Sequence, residues 1–247
     1  MAMDLKDVTF IYIIYGDSII RIENLMASIN FLLANFNTKI YVLEVGNYNN
    51  GFIKKLLNNK IIYEFRQDAD CIFYRTKYLN DIYKKVTSKF AAIFDSDVVI
   101  PKEQIIEAIE LLRNNEAQIV YPYTKFYDTS EIIRNLFMKT YDWNYIFNYE
   151  EYMHELYSPN PTGGAFICDL ESYKKIGLEN EDFYGWGVED GERYARWYSS
   201  GFKIIRLTGS LFHLTHPRDI NSKIHNSSQT WIKKSVINRT RNNIGPK

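Results

Sequence analysis

The first half of the chain alternates between short apolar runs and longer segments in which apolar residues recur at helical spacing. Residues 8–15 form an unbroken β-branched and aromatic run, which is typical of a strand buried on both faces of a parallel sheet. Residues 21–35 then carry apolar side chains three and four positions apart, as an amphipathic helix does. The same alternation predicts strands at 39–45, 61–65 and 90–94 and helices at 51–57, 76–86 and 102–113. The pattern therefore predicts an α/β fold with a central, mostly parallel sheet flanked by helices.

The alternation breaks down in the second half of the chain. Residues 121–157 are rich in tyrosine and poorly periodic, and we expect helical and loop material there. Strands are predicted again at 165–168 and 203–207, with a helix at 192–200 between them. Because no internal repeat or long linker interrupts the chain, we expect one domain over residues 1–219 and a basic extension over 220–247.

Composition narrows the class of protein further. The 247 residues are 46% hydrophobic, which is enough to bury a full core, and 30 basic residues balance 30 acidic ones, so no overall field attracts nucleic acid. The two cysteines, Cys71 and Cys168, are too few for a disulfide framework and predict free thiols. No run approaches the roughly 18 apolar residues of a membrane span, and no cleavable signal is visible. We therefore expect a cytoplasmic protein.

Basic residues accumulate after His216 with almost no acid among them. This local excess is compatible with contact to phosphates, including weak contact with the inner face of a membrane. A solvated tail explains it equally well.

Two carboxylates emerge where a predicted buried strand ends, at Asp95 and Asp97. In open α/β sheets ligands bind at the carboxyl ends of strands, and carboxylates two positions apart can bind Mg²⁺ or Mn²⁺ together with phosphate oxygens. A short acidic turn after a strand is also common without a metal. The triplet alone leaves both interpretations open.

Two imidazoles follow far downstream, at His213 and His216. Imidazole suits manganese or zinc, but residues three apart on a straight strand point to opposite faces. A shared metal therefore requires a turn or bulge between them, which the nearby Gly209 and Pro217 favour. The alternative is a pair of partly buried histidines without a ligand.

A second acidic pair, Glu189 and Asp190, follows Gly185-Trp186-Gly187. The glycines let the backbone approach a ligand closely, and the indole offers a flat face on which a sugar can stack. A carboxylate beside that face could accept a proton from an acceptor hydroxyl as general base. Alternatively, the pair is the acidic first turn of a helix, where the helix dipole favours negative charge.

In combination these motifs resemble those of metal-dependent GT-A glycosyltransferases of the β-1,4-galactosyltransferase type and of chondroitin-polymerase-like bacterial transferases. The resemblance spans residues 8–218 and is most specific over Tyr184-Gly-Trp-Gly-Val-Glu-Asp190, which His213-Leu-Thr-His216 follows in the family's order. It implies a Rossmann-like GT-A fold, Mn²⁺ (or Mg²⁺) as cofactor, a UDP-sugar as donor, and a glycan or glycolipid acceptor in polysaccharide biosynthesis.

The resemblance also implies a role for each matched residue. Asp97, His213 and His216 match the metal ligands, and Asp190 matches the catalytic base. Trp186 and Glu189 match residues that bind the acceptor sugar. The positions that match donor-binding residues are Arg21, Phe73, Arg75, Asp95, Gly163 and Gly164.

Two departures from the family pattern leave the donor sugar open. The Pro-Phe-Arg-Asn-Arg loop of the galactosyltransferases is replaced by residues 15–21, of which only Arg21 matches. Pro161 stands where those enzymes carry a tyrosine that helps to choose between galactose and its N-acetylated form. The resulting hypothesis is an inverting transferase that moves galactose or N-acetylgalactosamine from a UDP-sugar to a glycan hydroxyl.

Two other classes of protein fit parts of the sequence. Asp95-Ser-Asp-Val-Val99 also matches the motif of haloacid-dehalogenase-type phosphohydrolases, with Asp95 as nucleophile, although that motif usually follows the first strand and here three predicted strands precede it. A catalytically silent sugar-binding module is the third possibility, because 20 tyrosines and 15 phenylalanines could supply carbohydrate platforms.

Overall fold

The computed structural model describes residues 2–185 and 187–217. The strands are β1 (Met3–Tyr15), β2 (Phe36–Gly46), β3 (Ile62–Gln67), β4 (Phe90–Phe94), β5 (Val98–Val99), β6 (Ile119–Tyr121), β7 (Lys125–Asp128), β8 (His154–Leu156), β9 (Ala165–Asp169), β10 (Ile204–Arg206) and β11 (Ser210–His213). The helices are α1 (Ile19–Asn35), α2 (Phe52–Leu56), α3 (Arg75–Tyr83), α4 (Lys102–Arg113), α5 (Glu131–Thr140), α6 (Asn144–Phe147), α7 (Leu170–Lys175) and α8 (Glu189–Ser199), with a 3-10 turn at Glu150–Tyr152.

The larger sheet has seven strands in the order β10-β6-β9-β4-β1-β2-β3. Neighbouring strands are parallel, except that β9 runs antiparallel to β4 and to β6. The prediction of an α/β fold with a mostly parallel central sheet is confirmed. Because β1, β2 and β4 run in the same direction, their carboxyl ends lie on one edge, where such sheets bind ligands.

Burial on both faces of the sheet explains the composition of β1. Val8, Phe10 and Tyr12 are fully buried on this strand, and Leu25 and Ile29 are fully buried on α1. Each apolar side chain of this size stabilises the fold by about 1.5–3 kcal/mol relative to exposure. The predicted strands and helices of the first half are all present, and their ends differ by a few residues, as with β1, which begins at Met3.

A second sheet of four strands, in the order β5-β11-β7-β8, was not predicted. The expectation of helical and loop material over 121–157 is wrong in part, because this segment contributes β7 and β8 as well as α5 and α6. These strands are only three or four residues long, too short for period-two alternation to be visible. β7 also pairs with β11, far away in sequence, so local pattern carries no trace of it.

Helix α8 begins at Glu189, earlier than the predicted start at residue 192, so the acidic pair occupies its first turn. Both thiols are free, as expected, with Cys71 exposed and Cys168 buried. Within the described ranges, no helix combines the length and apolarity needed to cross a bilayer. The predicted basic extension, 220–247, lies outside the described residues.

Candidate active site

A cavity of about 540 Å³ opens where β1 and β4 end. Every candidate site residue that the structure describes lines this cavity: Arg21, Phe73, Arg75, Asp95, Asp97, Gly163, Gly164, Glu189, Asp190, His213 and His216. Trp186, the remaining candidate, lies outside the described residues. The fold thus brings together side chains that the sequence separates by up to the length of the domain.

Three of these residues form a compact cluster that fits a divalent cation. Asp97 Oδ1 lies 3.6 Å from His213 Nε2, and Asp97 Oδ2 lies 3.1 Å from His216 Nε2. One ligand atom from each residue falls within 4.8 Å of the others, and all three side chains are at most 10% exposed. One carboxylate with two imidazoles is a donor set that suits manganese or zinc.

The backbone around the histidines explains why both imidazoles reach Asp97. Strand β11 ends at His213, and residues 214–217 leave the strand, so irregular backbone separates the histidines, as predicted. The Leu214 N–H donates to the Asp97 carbonyl at 2.7 Å, and the Leu214 carbonyl accepts from Asn24 Nδ2 at 2.7 Å. Helix α1 and the segment after β4 therefore both form hydrogen bonds to Leu214, which lies between the two histidines.

The other ring nitrogen of each histidine also has a partner. His216 Nδ1 lies 2.9 Å from the Pro217 carbonyl, and His213 Nδ1 lies 2.7 Å from Asp128 Oδ1. A ring that donates through Nδ1 leaves the Nε2 lone pair directed at the cluster. Asp128 was not singled out in the sequence, because it ends β7, a strand that the sequence pattern did not reveal.

Charge coupling within the cluster is strong. Burial alone would lower the pKa of His213, but Asp97 and the Asp128 hydrogen bond outweigh it and raise that pKa to about 9. Burial would likewise raise the pKa of Asp97, yet the two imidazoles hold it well below its ordinary value. A cation that binds Nε2 of His213 would therefore have to displace a proton.

Arginine and aromatic side chains form the neighbouring wall of the cavity. Arg75 Nη2 donates to Asp95 Oδ1 at 2.6 Å, whereas its buried Nη1 has no hydrogen-bond partner among the described residues. Burial disfavours charge on Arg75, but Asp95 and Asp190 outweigh it and raise its pKa above the ordinary value. An always-charged guanidinium with an unused donor is suited to a phosphate oxygen.

Asp190 lines the same cavity from the first turn of α8, where Arg193 contacts its Oδ1. Arg193 is 1% exposed and also donates to both oxygens of Glu179, at 3.1 and 3.2 Å. This arginine, which the sequence reasoning gave no site role, fixes the orientation of the candidate base. Its position three residues after Asp190 on a helix is the signal that could have identified it.

Glu189 differs from its neighbour in environment. Its side chain is buried, and its Oε2 has no hydrogen-bond partner in the described part of the chain. Burial and the adjacent Asp190 raise the pKa of Glu189 to about 7. Glu189 and Asp190 are adjacent, but they therefore differ in burial and in hydrogen bonding.

The glycine pair allows close approach on the facing wall. A Cβ at Gly163 would lie 2.9 Å from Asp190 Oδ2. Gly164 adopts φ +86°, and a Cβ there would lie 2.7 Å from the Phe126 ring. The Gly164 carbonyl accepts from the Asp95 N–H at 2.8 Å, so the glycine pair is held beside the acidic segment after β4.

A family model and a curated relative each match part of the chain. Residues 134–219 match the family model described as the N-terminal domain of galactosyltransferase. A curated relative, the xylosylprotein 4-beta-galactosyltransferase of Caenorhabditis elegans, is 30% identical over 82 residues, which cover 29% of this chain and 28% of the relative.

Solved structures resemble the chain over most of its length. Drosophila β1,4-galactosyltransferase 7 with manganese, UDP-Gal and xylobiose is 14% identical, with a TM-score of 0.55 over 91% of this chain and 79% of that one. The Pyrobaculum calidifontis mannosyltransferase PcManGT with GDP-Man and Mn²⁺ is also 14% identical, with a TM-score of 0.55 over 86% and 58%. Staphylococcus aureus TarS is 13% identical, with a TM-score of 0.60 over 97% and 66%.

The fold is the GT-A fold of glycosyltransferases, as predicted. The sequence resembles galactosyltransferases over residues 134–219.

Proposed function

We propose that the protein is an inverting, metal-dependent glycosyltransferase that moves a hexose from a UDP-sugar to a hydroxyl of a glycan or glycolipid. One observation carries the proposal: a buried Asp97–His213–His216 cluster and the Asp190 carboxylate line the same cavity. The first suits a cation with a diphosphate, and the second suits proton removal from an acceptor.

Several residues that line the cavity are suited to bind a nucleoside diphosphate. Arg75 Nη1 offers an unused buried donor, and Arg21 lies on the same wall. The rings of Tyr15 and Phe73 meet edge to face at 6.3 Å and line the cavity, so an aromatic ring is available to stack on a base. UDP-Gal bound to the Drosophila neighbour makes uridine the favoured nucleoside.

Asp97, His213 and His216 would hold Mn²⁺ or Mg²⁺. A divalent cation there would act as a Lewis acid on the diphosphate and neutralise charge on the departing UDP. Two imidazoles favour manganese over magnesium, because magnesium prefers oxygen ligands. Manganese also accompanies the donor in two of the neighbouring structures.

Asp190 would act as general base toward the acceptor hydroxyl. Its carboxylate takes the hydroxyl proton, the acceptor oxygen forms a bond to the anomeric carbon, and the bond from that carbon to the UDP oxygen breaks. A single displacement inverts the anomeric configuration. Arg193 holds the carboxylate in place, and Glu189 beside it is suited to bind an acceptor hydroxyl.

Galactose or N-acetylgalactosamine is the proposed hexose. The name of the C. elegans relative and the UDP-Gal bound to the Drosophila neighbour support galactose. Pro161 lines the cavity where galactosyltransferases carry a tyrosine, and Arg206 donates to its carbonyl at 2.7 Å. A fixed, smaller side chain at this wall leaves the N-acetylated sugar as the second candidate.

The competing functions account for less of the site. Asp95, the nucleophile of a phosphohydrolase, instead pairs with Arg75 at 2.6 Å and follows the fourth strand, not the first. A silent sugar-binding module would not need a buried cluster of cation ligands beside a carboxylate held by an arginine.

The experiment is a panel of UDP-sugars assayed for UDP release with Mn²⁺, Mg²⁺ or EDTA, with and without xylosides and short glycans as acceptors. The proposal expects manganese-dependent release from UDP-galactose or UDP-N-acetylgalactosamine, accelerated by acceptor. Rapid phosphate release from p-nitrophenyl phosphate, with no turnover of any UDP-sugar, would favour the phosphohydrolase. Inertness in both assays would favour the binding module.

A further inference from the structure

The Nδ1 atoms of the two cluster histidines have different hydrogen-bond partners. Both present Nε2 to Asp97, but His216 Nδ1 contacts a neutral carbonyl, whereas His213 Nδ1 contacts the Asp128 carboxylate at 2.7 Å. A carboxylate accepts the Nδ1–H more strongly than a carbonyl does, which makes the ring a better electron donor at Nε2.

The register of the smaller sheet creates this contact. His213 pairs with Val98 on β5, directly after the Asp95–Asp97 segment, and with Asp128 on β7. One β11 residue therefore lies between the cluster carboxylate and the carboxylate behind it. The ring of Phe126 stacks on the His213 ring at 6.0 Å, which restricts rotation about the side-chain bonds.

Charge balance gives this contact a second role. Asp97 and Asp128 place two carboxylates close to a bound divalent ion, whereas Asp95 is already paired with Arg75. Asp128 is 25% exposed, and Glu151 and His154 line the surface depression on its outer side. In the described chain, no arginine or lysine forms an ion pair with Asp128. Its carboxylate pairs with His213 instead.

We propose that Asp128 is a positioning residue for the metal site: it fixes His213 as the Nδ1–H tautomer, so that Nε2 binds the cation, and its negative charge stabilises the bound cation. The inference rests on the metal site of the proposed function. It extends that function by assigning cation affinity to a side chain outside the coordinating set.

Manganese binding to the full chain, followed by electron paramagnetic resonance of free Mn²⁺, tests this role without a sugar substrate. Asp128→Asn keeps an acceptor oxygen but loses the charge, and Asp128→Ala loses both. We expect the Mn²⁺ dissociation constant to rise by about tenfold in the first and toward about 100-fold in the second. Glu155→Gln, which removes an exposed charge from the adjacent strand β8, is the matched control and should leave affinity unchanged.

A spectroscopic measurement separates positioning from a general loss of structure. In the zinc-loaded protein, which is diamagnetic, long-range ¹H–¹⁵N spectra should show His213 protonated at Nδ1 in the wild type and in Asp128→Asn. Asp128→Ala should show a mixture of tautomers or weakened zinc binding. If Asp128→Ala fails to fold, the Mn²⁺ affinity of the nearly isosteric Asp128→Asn tests the role instead.

The outcomes are distinct. Wild-type affinity in both Asp128 variants, with binding lost in His213→Ala, would overturn the role of Asp128 and leave the metal site intact. Absence of Mn²⁺ binding in the wild type would overturn the metal site and this inference together.

Discussion

His216 Nε2 lies 3.1 Å from Asp97 Oδ2, and the Leu214 N–H donates to the Asp97 carbonyl at 2.7 Å. A side-chain contact and a backbone hydrogen bond thus join the end of the described chain to the acidic segment after β4. Because both contacts converge on one aspartate, they preorganise the cluster for a cation.

This preorganisation predicts that the histidines govern stabilisation by metal. Wild-type protein at 100 times the Mn²⁺ dissociation constant should gain about 2.7 kcal/mol in unfolding free energy. His216→Ala should lose most of that gain. Thermal unfolding with and without Mn²⁺ measures this gain in stability. His154→Ala, which replaces an exposed histidine on β8, is the control. Equal metal-induced shifts in the wild type and His216→Ala would contradict the prediction.

Asp190→Asn should separate binding from chemistry. The amide is nearly isosteric but cannot accept the acceptor proton, so we expect turnover to fall by about 10²–10⁴-fold. Mn²⁺ and UDP affinity, measured by calorimetry, should stay close to wild type because Asp190 is not one of the three cluster residues. Glu171→Gln, an exposed change on α7, controls for loss of charge. Undiminished transfer by Asp190→Asn would remove this residue from the role of base.

Arg193 should be important for stability as well as for the site. Its removal would leave Glu179, 1% exposed, without its guanidinium partner, and breaking a buried pair from one side costs about 3–5 kcal/mol. Urea unfolding of Arg193→Met should show a loss of this size. The double variant Arg193→Met with Glu179→Gln should recover part of it, since no unpaired charge remains. Additive losses would mean that the two side chains are not coupled.

Two cavity glycines offer a matched pair of substitutions. Gly163→Ala would place a methyl group 2.9 Å from Asp190 Oδ2, so we expect turnover to fall while the fold is retained. Gly191→Ala lies in α8 with open space around the added carbon, and should keep activity and stabilise the helix by up to about 1 kcal/mol. Steady-state kinetics and thermal unfolding of both variants make the comparison. An equal loss of activity in both would contradict it.

The pKa of His213 predicts how metal binding depends on pH. Metal-free His213 has a pKa of about 9, against an ordinary value of 6.5, so its protonation stabilises the metal-free fold fully below 6.5. That contribution is lost as pH rises through 9. A cation needs the neutral ring, so Mn²⁺ affinity should rise toward about tenfold per pH unit between 6.5 and 8.5. Titration calorimetry checks this. A flat profile, or the same slope in His213→Gln, would contradict it.

The sequence revealed most of the larger sheet, because its first strands are continuous apolar runs and the helices between them are periodic. Strand β6, which has three residues, was not predicted. The uninterrupted apolar runs of β1 and β4 identify buried strands, and the apolar face of α1 identifies a crossover helix. The smaller sheet could not be predicted in this way. β5 has two residues and β8 has three, and pairing of β7 with β11 depends on tertiary packing.

In the candidate site, likewise, some residues could be identified from the sequence and others could not. Asp97, His213, His216 and Asp190 are visible as spaced motifs, and the cavity brings all four together. Asp128 belongs to no motif, because its contact with His213 arises from strand register alone. Residues that act through another side chain leave little trace in a single sequence.

The central claim is that Asp97, His213 and His216 bind one divalent cation together with the diphosphate of a UDP-sugar. The most direct measurement is anomalous diffraction at the manganese edge from crystals grown with Mn²⁺ and UDP. We predict one strong peak within coordinating distance of all three side chains and of a phosphate oxygen. Density for UDP in the cavity, with the manganese peak elsewhere or the His216 ring turned away from Asp97, would contradict the account.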